Sequence, residues 1–426
     1  MISSPLIHPL HLIDDDSDNF DNIVEGKGIY VKDANGRVYI DGISGLWNVS
    51  MGYNHPEINE SIIKQLYQIP FVNLGERLNP SSYKLAESLL DVLPKSHKKI
   101  CYTCTGSESV ELAIKIAREY NDLLGNFEKK EFIAFDYSYH GTYYGSMSAS
   151  GLDKDITQSY SPKVSGFHFL PTPFEREIDR DFIYNFFAER KDKIAAIIIE
   201  PIIGSGGIVP IQEDYMNLLM EICEENNILI VVDEVATGFG RTGKLFGFEH
   251  YNMTPDIICM AKGINSGYIP MGAVSINEKI VNQYIKSNRH IEHLSTQNGN
   301  PLACAAGNAT LKIVTQSTFL EDVKIKGEYF IENLRNALQG YNFVSQIRGR
   351  GLMIGIEIKG ARGTFINYSK INEIIGEIKK KGVLVYSFYS EPFTGGISLF
   401  PPLIITKKEI DRIIKVISKV FRQLVV

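Results

Sequence analysis

Residues 194–201 read IAAIIIEP, residues 228–234 read ILIVVDE and residues 256–263 read DIICMAKG. Each is a short run of apolar residues that stops on charged or polar ones. A strand with one face in water alternates apolar and polar positions, so a run apolar throughout is covered on both faces. FIAF at 132–135 has the same character, and stretches of helical spacing separate these runs. The pattern predicts an α/β fold, a mainly parallel sheet covered by helices on both sides. Open sheets of this kind collect ligands beyond the carboxyl ends of their strands. The residues that end each run therefore carry the functional reading: Glu200, the pair Asp233-Glu234, and Lys262. A lysine buried at that depth is costly unless it is paired or used chemically. Either Lys262 bridges to Asp233 and ties two strands together, or it is a reactive amine.

Two further stretches bear on that choice. In CTGSESVELAIKIAREY, Thr105-Gly106-Ser107 precedes a helix whose apolar positions Val110, Ala113, Ile114, Ala117 and Tyr120 recur at helical spacing, and Thr105 with Glu108 matches a capping box. A glycine-hydroxyl turn opening a helix presents free N–H groups of Gly106 and Ser107 to an anion, a phosphate cradle. The turn is neither a G-x-x-x-x-G-K-[ST] loop nor G-x-G-x-x-G, so a nucleoside triphosphate or a dinucleotide is not indicated. Tyr139-His140-Gly141 follows the strand FIAFDYS and offers a flat ring able to stack on a planar cofactor. Cradle, ring, carboxylate and lysine together are what pyridoxal phosphate requires: a Schiff-base lysine, and an acid that keeps the pyridine nitrogen protonated.

Around this centre, the 426 residues leave room for two or three units at roughly 150 residues each. EGKGIYVKDANGRVYIDGISG contains Asn35-Gly36 between alternating runs, a hairpin signal. SKINEIIGEIKKKG and KKEIDRIIKVISKVFRQL predict helices around GRGLMIGIEI, a smaller α+β unit. The expected division is residues 1–60 as an N-terminal segment of the small domain, 61–315 as the large cofactor-binding domain and 316–426 as the C-terminal small domain. A net charge of −6 without a basic run argues against nucleic acid. No stretch approaches the roughly 18 apolar residues of a membrane helix, and MISSPLIHPLHLIDDD lacks the basic and apolar regions of a signal peptide. With an odd count of 5 cysteines, these features point to a cytoplasmic location and away from a membrane. Cys101 and Cys104 form a C-x-x-C with no second pair, read as a strand entering a glycine turn, and no metal site is expected.

In this combination the chain resembles a class III aminotransferase, a pyridoxal-phosphate enzyme of fold type I. The similarity runs from DANGRVYIDGISGLWNVSMGYNHPEI through TGSESVELAIKIAR, YHG, EPIIGSGG, VVDEVATGFGRTG and AKGINSGYIPMGA to TQNGNPLACAA and RGRGLMIGIE. The resemblance implies transamination through a Lys262 Schiff base, with Lys262 also carrying the proton. It assigns Asp233 to the pyridine nitrogen, Val235 to one ring face and Tyr139 to the other, and Gly106 and Ser107 to the phosphate. It adds His140 and Glu200 to the cofactor pocket. Thr296 in TQNGNP would reach the phosphate of a neighbouring subunit, which implies a homodimer with shared sites. Arg241 in GFGRTG is read as structural.

The departures bear on the substrate. Relatives that handle glutamate, ornithine or 4-aminobutyrate carry an arginine shortly before the C-terminal Pro-Pro and a glutamate in EPxxGEGG. Here Ser398 and Ser205 stand at those positions, and Thr142 replaces the arginine that acetylornithine-type relatives carry after His-Gly. Trp47 in GLWNV stands where similar ω-aminotransferases line the substrate pocket with Tyr139. An ω-amino acid or primary amine is the expected donor and an oxo acid or aldehyde the acceptor, with Arg77 and Arg348 as candidates for an acceptor carboxylate. Decarboxylation, racemisation or aminomutase chemistry on the same scaffold, and an aldehyde on a larger biosynthetic intermediate, remain alternatives.

Overall fold

The computed structural model describes residues 5–13, 20–152, 154–174, 179–360 and 363–424. Part of the N-terminal stretch just read, residues 1–4 and 14–16, lies outside them. The centre is a seven-stranded sheet in the order His97–Thr103, Gly272–Asn277, Ile257–Met260, Leu229–Asp233, Ile194–Ile199, Glu131–Phe135, Phe167–Leu170. Gly272–Asn277 alone runs against the others. Ile194–Ile199 is buried at all six positions and Ile257–Met260 at all four, as runs covered on both faces require. The helix Gly106–Leu123 packs Val110, Ala113, Ile114 and Ala117 into the core on one side of the sheet, with Tyr120 partly covered at its rim.

Asn35-Gly36 turns Tyr30–Asp33 back onto Val38–Asp41 with Gly36 at φ +82, a left-handed conformation that glycine adopts without a Cβ clash. Val38–Asp41 then pairs in parallel with Val383–Leu384, so the N-terminal strands close against the C-terminal part of the chain. A second antiparallel sheet, in the order Val344–Arg350, Met353–Ile358, Thr394–Leu399, Tyr386–Ser390, lies with the helices Phe319–Leu338, Tyr368–Lys380 and Lys407–Phe421. Among the described residues, no helix is long and apolar enough to cross a membrane.

Candidate active site

Strand register brings the charged ends together. Val232 lies opposite Ile199, and Asp233 lies opposite Cys259. Glu200, one residue past Ile199, therefore comes level with Asp233, and Lys262 follows three residues past Cys259. Lys262 has φ 42 in the short helical turn Lys262–Asn265. A lysine in the left-handed region costs on the order of 1–3 kcal/mol, strain that clusters at functional sites. No pairing with Asp233 forms. The Asp233 Oδ2 lies 2.8 Å from His140 Nδ1, its Oδ1 accepts the Val235 N–H at 3.0 Å, and Lys262 Nζ sits 5.1 Å from the centroid of the Trp47 ring. Burial lowers the Lys262 pKa, and the charges of Asp233 and Glu200 counter it in part, which moves the lysine toward the neutral amine that nucleophilic chemistry needs. His140 is fully buried. Burial alone would depress its pKa, but the hydrogen bond and charge of Asp233, with Glu200, hold it above the usual value.

Glu200 braces its surroundings. Its Oε2 accepts the Tyr139 N–H at 3.0 Å and its Oε1 the Gly204 N–H at 3.1 Å, fixing both the aromatic residue and the 204–207 turn. Burial pushes its carboxyl up to about 7, against a lowering influence from His140. The next acid, Glu234, points elsewhere and accepts from Thr237 and from the N–H groups of Gly247 and Phe248.

The turn at 105–107 is built by the helix cap. Thr105 is extended, and its Oγ1 accepts the Glu108 N–H at 3.1 Å. The reciprocal half differs from the expected box, because the Glu108 carboxylate takes the Cys104 N–H at 2.8 Å and two side chains from the 290s loop, Ser295 at 2.6 Å and His293 at 3.0 Å. Gly106 and Ser107 hold the first helical positions, whose N–H groups have no acceptor within the helix. A Cβ on Gly106 would stand 2.8 Å from Val235 Cγ1, so only glycine lets the turn sit this close to the valine after Asp233.

Gly106, Ser107, Tyr139, Asp233, Val235 and Lys262 all line one cavity of about 340 Å³, together with His140, Glu200, Trp47 and Ser205. Trp47 stacks on Phe400 at 4.3 Å and 7°, and the Arg241 guanidinium lies 5.4 Å over Phe400 while donating to the Pro401 carbonyl at 2.6 Å and the Leu352 carbonyl at 3.1 Å. Thr296 is exposed and outside its own chain's cavity. Arg348 is committed to the Glu357 carboxylate and to the Gly207 and Ile208 carbonyls, and Arg77 pairs with Glu76 on the surface. Ser398 is buried on its strand and donates to the Tyr386 carbonyl. Sequence reasoning missed Asn265, Ile269 and Met271, which line the cavity from the segment after Lys262, and Phe400 behind Trp47. The strand-end rule that found Lys262 would have found the first three, had it been followed past the lysine.

These residues fit pyridoxal phosphate: free helix N–H groups for an anion, a carboxylate for a protonated ring nitrogen, apolar and aromatic side chains for the ring faces, and a lysine moved toward neutrality. A family model described as aminotransferase class-III matches residues 13–421. The chain belongs to the class III aminotransferases. Among these enzymes, it is 35% identical to the acetylornithine aminotransferase of Caldanaerobacter subterraneus, over 94% of this chain and 95% of that one. It is 31% identical to the taurine–pyruvate aminotransferase of Bilophila wadsworthia, over 93% and 91%. The structure of an amine transaminase from an uncultivated Pseudomonas species in its PLP-bound form superposes with a TM-score of 0.92 and 29% identity, covering 99% of each chain. The class III aminotransferase thus has the fold type I architecture, pyridoxal phosphate as cofactor and transamination as its activity.

Proposed function

We propose that this aminotransferase moves the amino group of an ω-amino acid or primary amine to an aldehyde or oxo acid, with Lys262 as both cofactor anchor and proton carrier. The observation that carries the reading is the cavity in which Lys262, Asp233 and the turn at 105–107 converge. The Gly106 and Ser107 N–H groups would hold the phosphate, Asp233 the ring nitrogen, and Val235 and Tyr139 the two ring faces. Pyridoxal phosphate, when bound, supplies an electron sink for the pair released at the substrate Cα. His140 keeps the Asp233 carboxylate oriented, and Glu200 keeps Tyr139 in place. In the loaded enzyme the Lys262 Nζ would be the group that takes the proton from the substrate Cα. Trp47, backed by Phe400, walls the substrate side.

The donor class is supported by Ser205 and Ser398 at positions where carboxylate-handling relatives carry Glu and Arg, and by similarity to taurine–pyruvate and amine transaminases. Among the described cavity-lining residues, Lys262 and His140 are the only cationic or cationisable ones, and Arg348 is already neutralised by Glu357. That favours an acceptor bound without a guanidinium, such as an aldehyde. The enzyme is further proposed to be a cytoplasmic homodimer, with residues 1–60 and 316–426 forming one small domain beside 61–315. Five free thiols support the reducing compartment, and the pairing of Val38–Asp41 with Val383–Leu384 supports the domain division. A panel of donors and acceptors, read by bleaching and return of the visible absorbance, tests the substrate class. Lys262→Ala should cost about 10²–10⁴-fold or more, the usual worth of a positioned acid–base group; full turnover in that variant, or exclusive use of α-amino dicarboxylates, would overturn the proposal.

A further inference from the structure

The N-terminal end of the helix Gly106–Leu123 does more than present N–H groups. Glu108, in its first turn, is almost wholly buried, and its carboxylate is shared between two places. One oxygen accepts the Cys104 N–H at 2.8 Å, in the bend between the strand His97–Thr103 and the phosphate turn. The other accepts Ser295 Oγ at 2.6 Å and His293 Nε2 at 3.0 Å, which belong to the loop before Pro301–Val314. Cys104 Sγ reaches Asn298 Oδ1 at 3.3 Å on the same loop, and Lys115, two turns further along the helix, donates to the Glu292 carbonyl. Burial would raise the Glu108 carboxyl, but the donors from Ser295, Cys104 and His293 hold it below the usual glutamate value, so the strut is ionised and its hydrogen bonds are charge-assisted. Thr296, held between these anchors, is exposed and contributes nothing to the cavity of its own chain.

We propose that Glu108 is a positioning residue that acts across the subunit boundary: it fixes, from one protomer's phosphate turn, the loop that this protomer lends to its partner's cofactor site. The inference rests on the proposed homodimer in which Thr296 reaches the partner's phosphate. Its consequence is that the two sites are mechanically joined, since each loop is moored to the cradle of the opposite site. Removing the Glu108 charge loosens Ser295 and His293, and the cofactor is lost from the site that the loop completes.

Heterodimers co-expressed from two differently tagged chains separate the two directions. In the first, one chain carries Lys262→Ala with Glu108→Gln and the other is unaltered; the working lysine site then has an intact cradle and a loosened borrowed loop. In the second, Lys262→Ala and Glu108→Gln are on different chains, and the working site borrows an intact loop. The readout is the decay of the visible absorbance of bound cofactor after dilution, against a heterodimer with Lys262→Ala alone. About tenfold faster release from the first heterodimer is expected, the equivalent of one charge-assisted hydrogen bond. Release from the first at the control rate overturns the proposal, whatever the second does. Ser295→Ala, placed in the same two arrangements, removes only the loop-side hydroxyl and keeps the test decisive should Glu108→Gln fail to fold. Sedimentation of the loaded enzyme is the separate check on the dimer: a monomer would remove the premise, whereas a dimer with release unchanged in the first heterodimer would remove the inference alone.

Discussion

Lys262 is pulled two ways. Its site lowers the ammonium's pKa by burial, while the carboxylates of Asp233 and Glu200 raise it, and the balance decides at what pH the amine is free to attack. Because the Glu200 carboxyl is itself pushed up to about 7, its charge acts on Lys262 above that pH. Glu200→Gln removes one of the two raising charges, so the lysine loses its proton at lower pH. Cofactor-free Glu200→Gln enzyme should therefore reach its half-maximal rate of pyridoxal phosphate uptake at a lower pH than the unaltered enzyme. Rapid mixing followed in the visible band across pH measures this, and a midpoint that stays or rises would show that the Glu200 charge does not reach Lys262. The acids and the lysine were legible because each ends an apolar run. The fate of Arg348 was not: its neutralisation by Glu357 depends on the pairing of Val344–Arg350 with Met353–Ile358, and its grip on Gly207 on a contact 141 residues away in sequence.

At the level of elements, the helix beginning at Gly106 meets the end of Leu229–Asp233 through a contact with no spare room, Gly106 against Val235. Gly106→Ala places a methyl 2.8 Å from Val235 Cγ1, and overpacking of this kind costs about 1–3 kcal/mol. The expected outcome is a lower melting temperature and weaker cofactor retention, both partly restored by adding Val235→Ala; a double variant no better than the single would place the damage elsewhere. The turn Gly247–His250 makes a different prediction. Burial, with the charges of Arg350 and Lys244, pushes the His250 imidazole down to about 4. Between its ordinary value near 6.5 and 4, the unfolded chain binds the proton more readily than the folded one. The His250 contribution to stability is therefore present above about 6.5 and is lost as pH falls toward 4. His250→Gln should flatten the acid side of a melting-temperature profile from pH 7 to 4, and an identical profile would refute the shift. The covered strands were readable from their unbroken apolar runs, but the reversed direction of Gly272–Asn277 was not. Strand direction follows from the connection, and here residues 261–271 form an irregular turn carrying Lys262 instead of a crossover helix.

The whole molecule carries an apolar surface that a single chain leaves open. Ile63, Leu66 and Tyr67 lie on one side of the helix Pro56–Gln68, with Tyr67 87% exposed. Leu78 and Leu294 are each about two-thirds exposed, and the Leu294 side chain approaches Gly75 in the loop before Leu78, so the loop at 73–78 abuts the loop that bears Thr296. Grouped apolar exposure of this kind marks an association surface, and its continuity with Thr296 supports the proposed second copy as its occupant. The patch around Leu78 and Leu294 was not visible as periodicity, because it is assembled from two loops more than 200 residues apart; only Thr296 hinted at it, through resemblance. Tyr67→Glu with Leu294→Glu should place charges across this face and shift sedimentation from dimer to monomer at micromolar concentration. If the sites are shared, the visible cofactor band and transamination should fall over the same concentration range as the dimer, because each monomer then lacks the loop that closes its phosphate site. A double variant that sediments as a monomer yet keeps its cofactor and turnover would show that each chain completes its own site, and the exposed position of Thr296 would need another explanation.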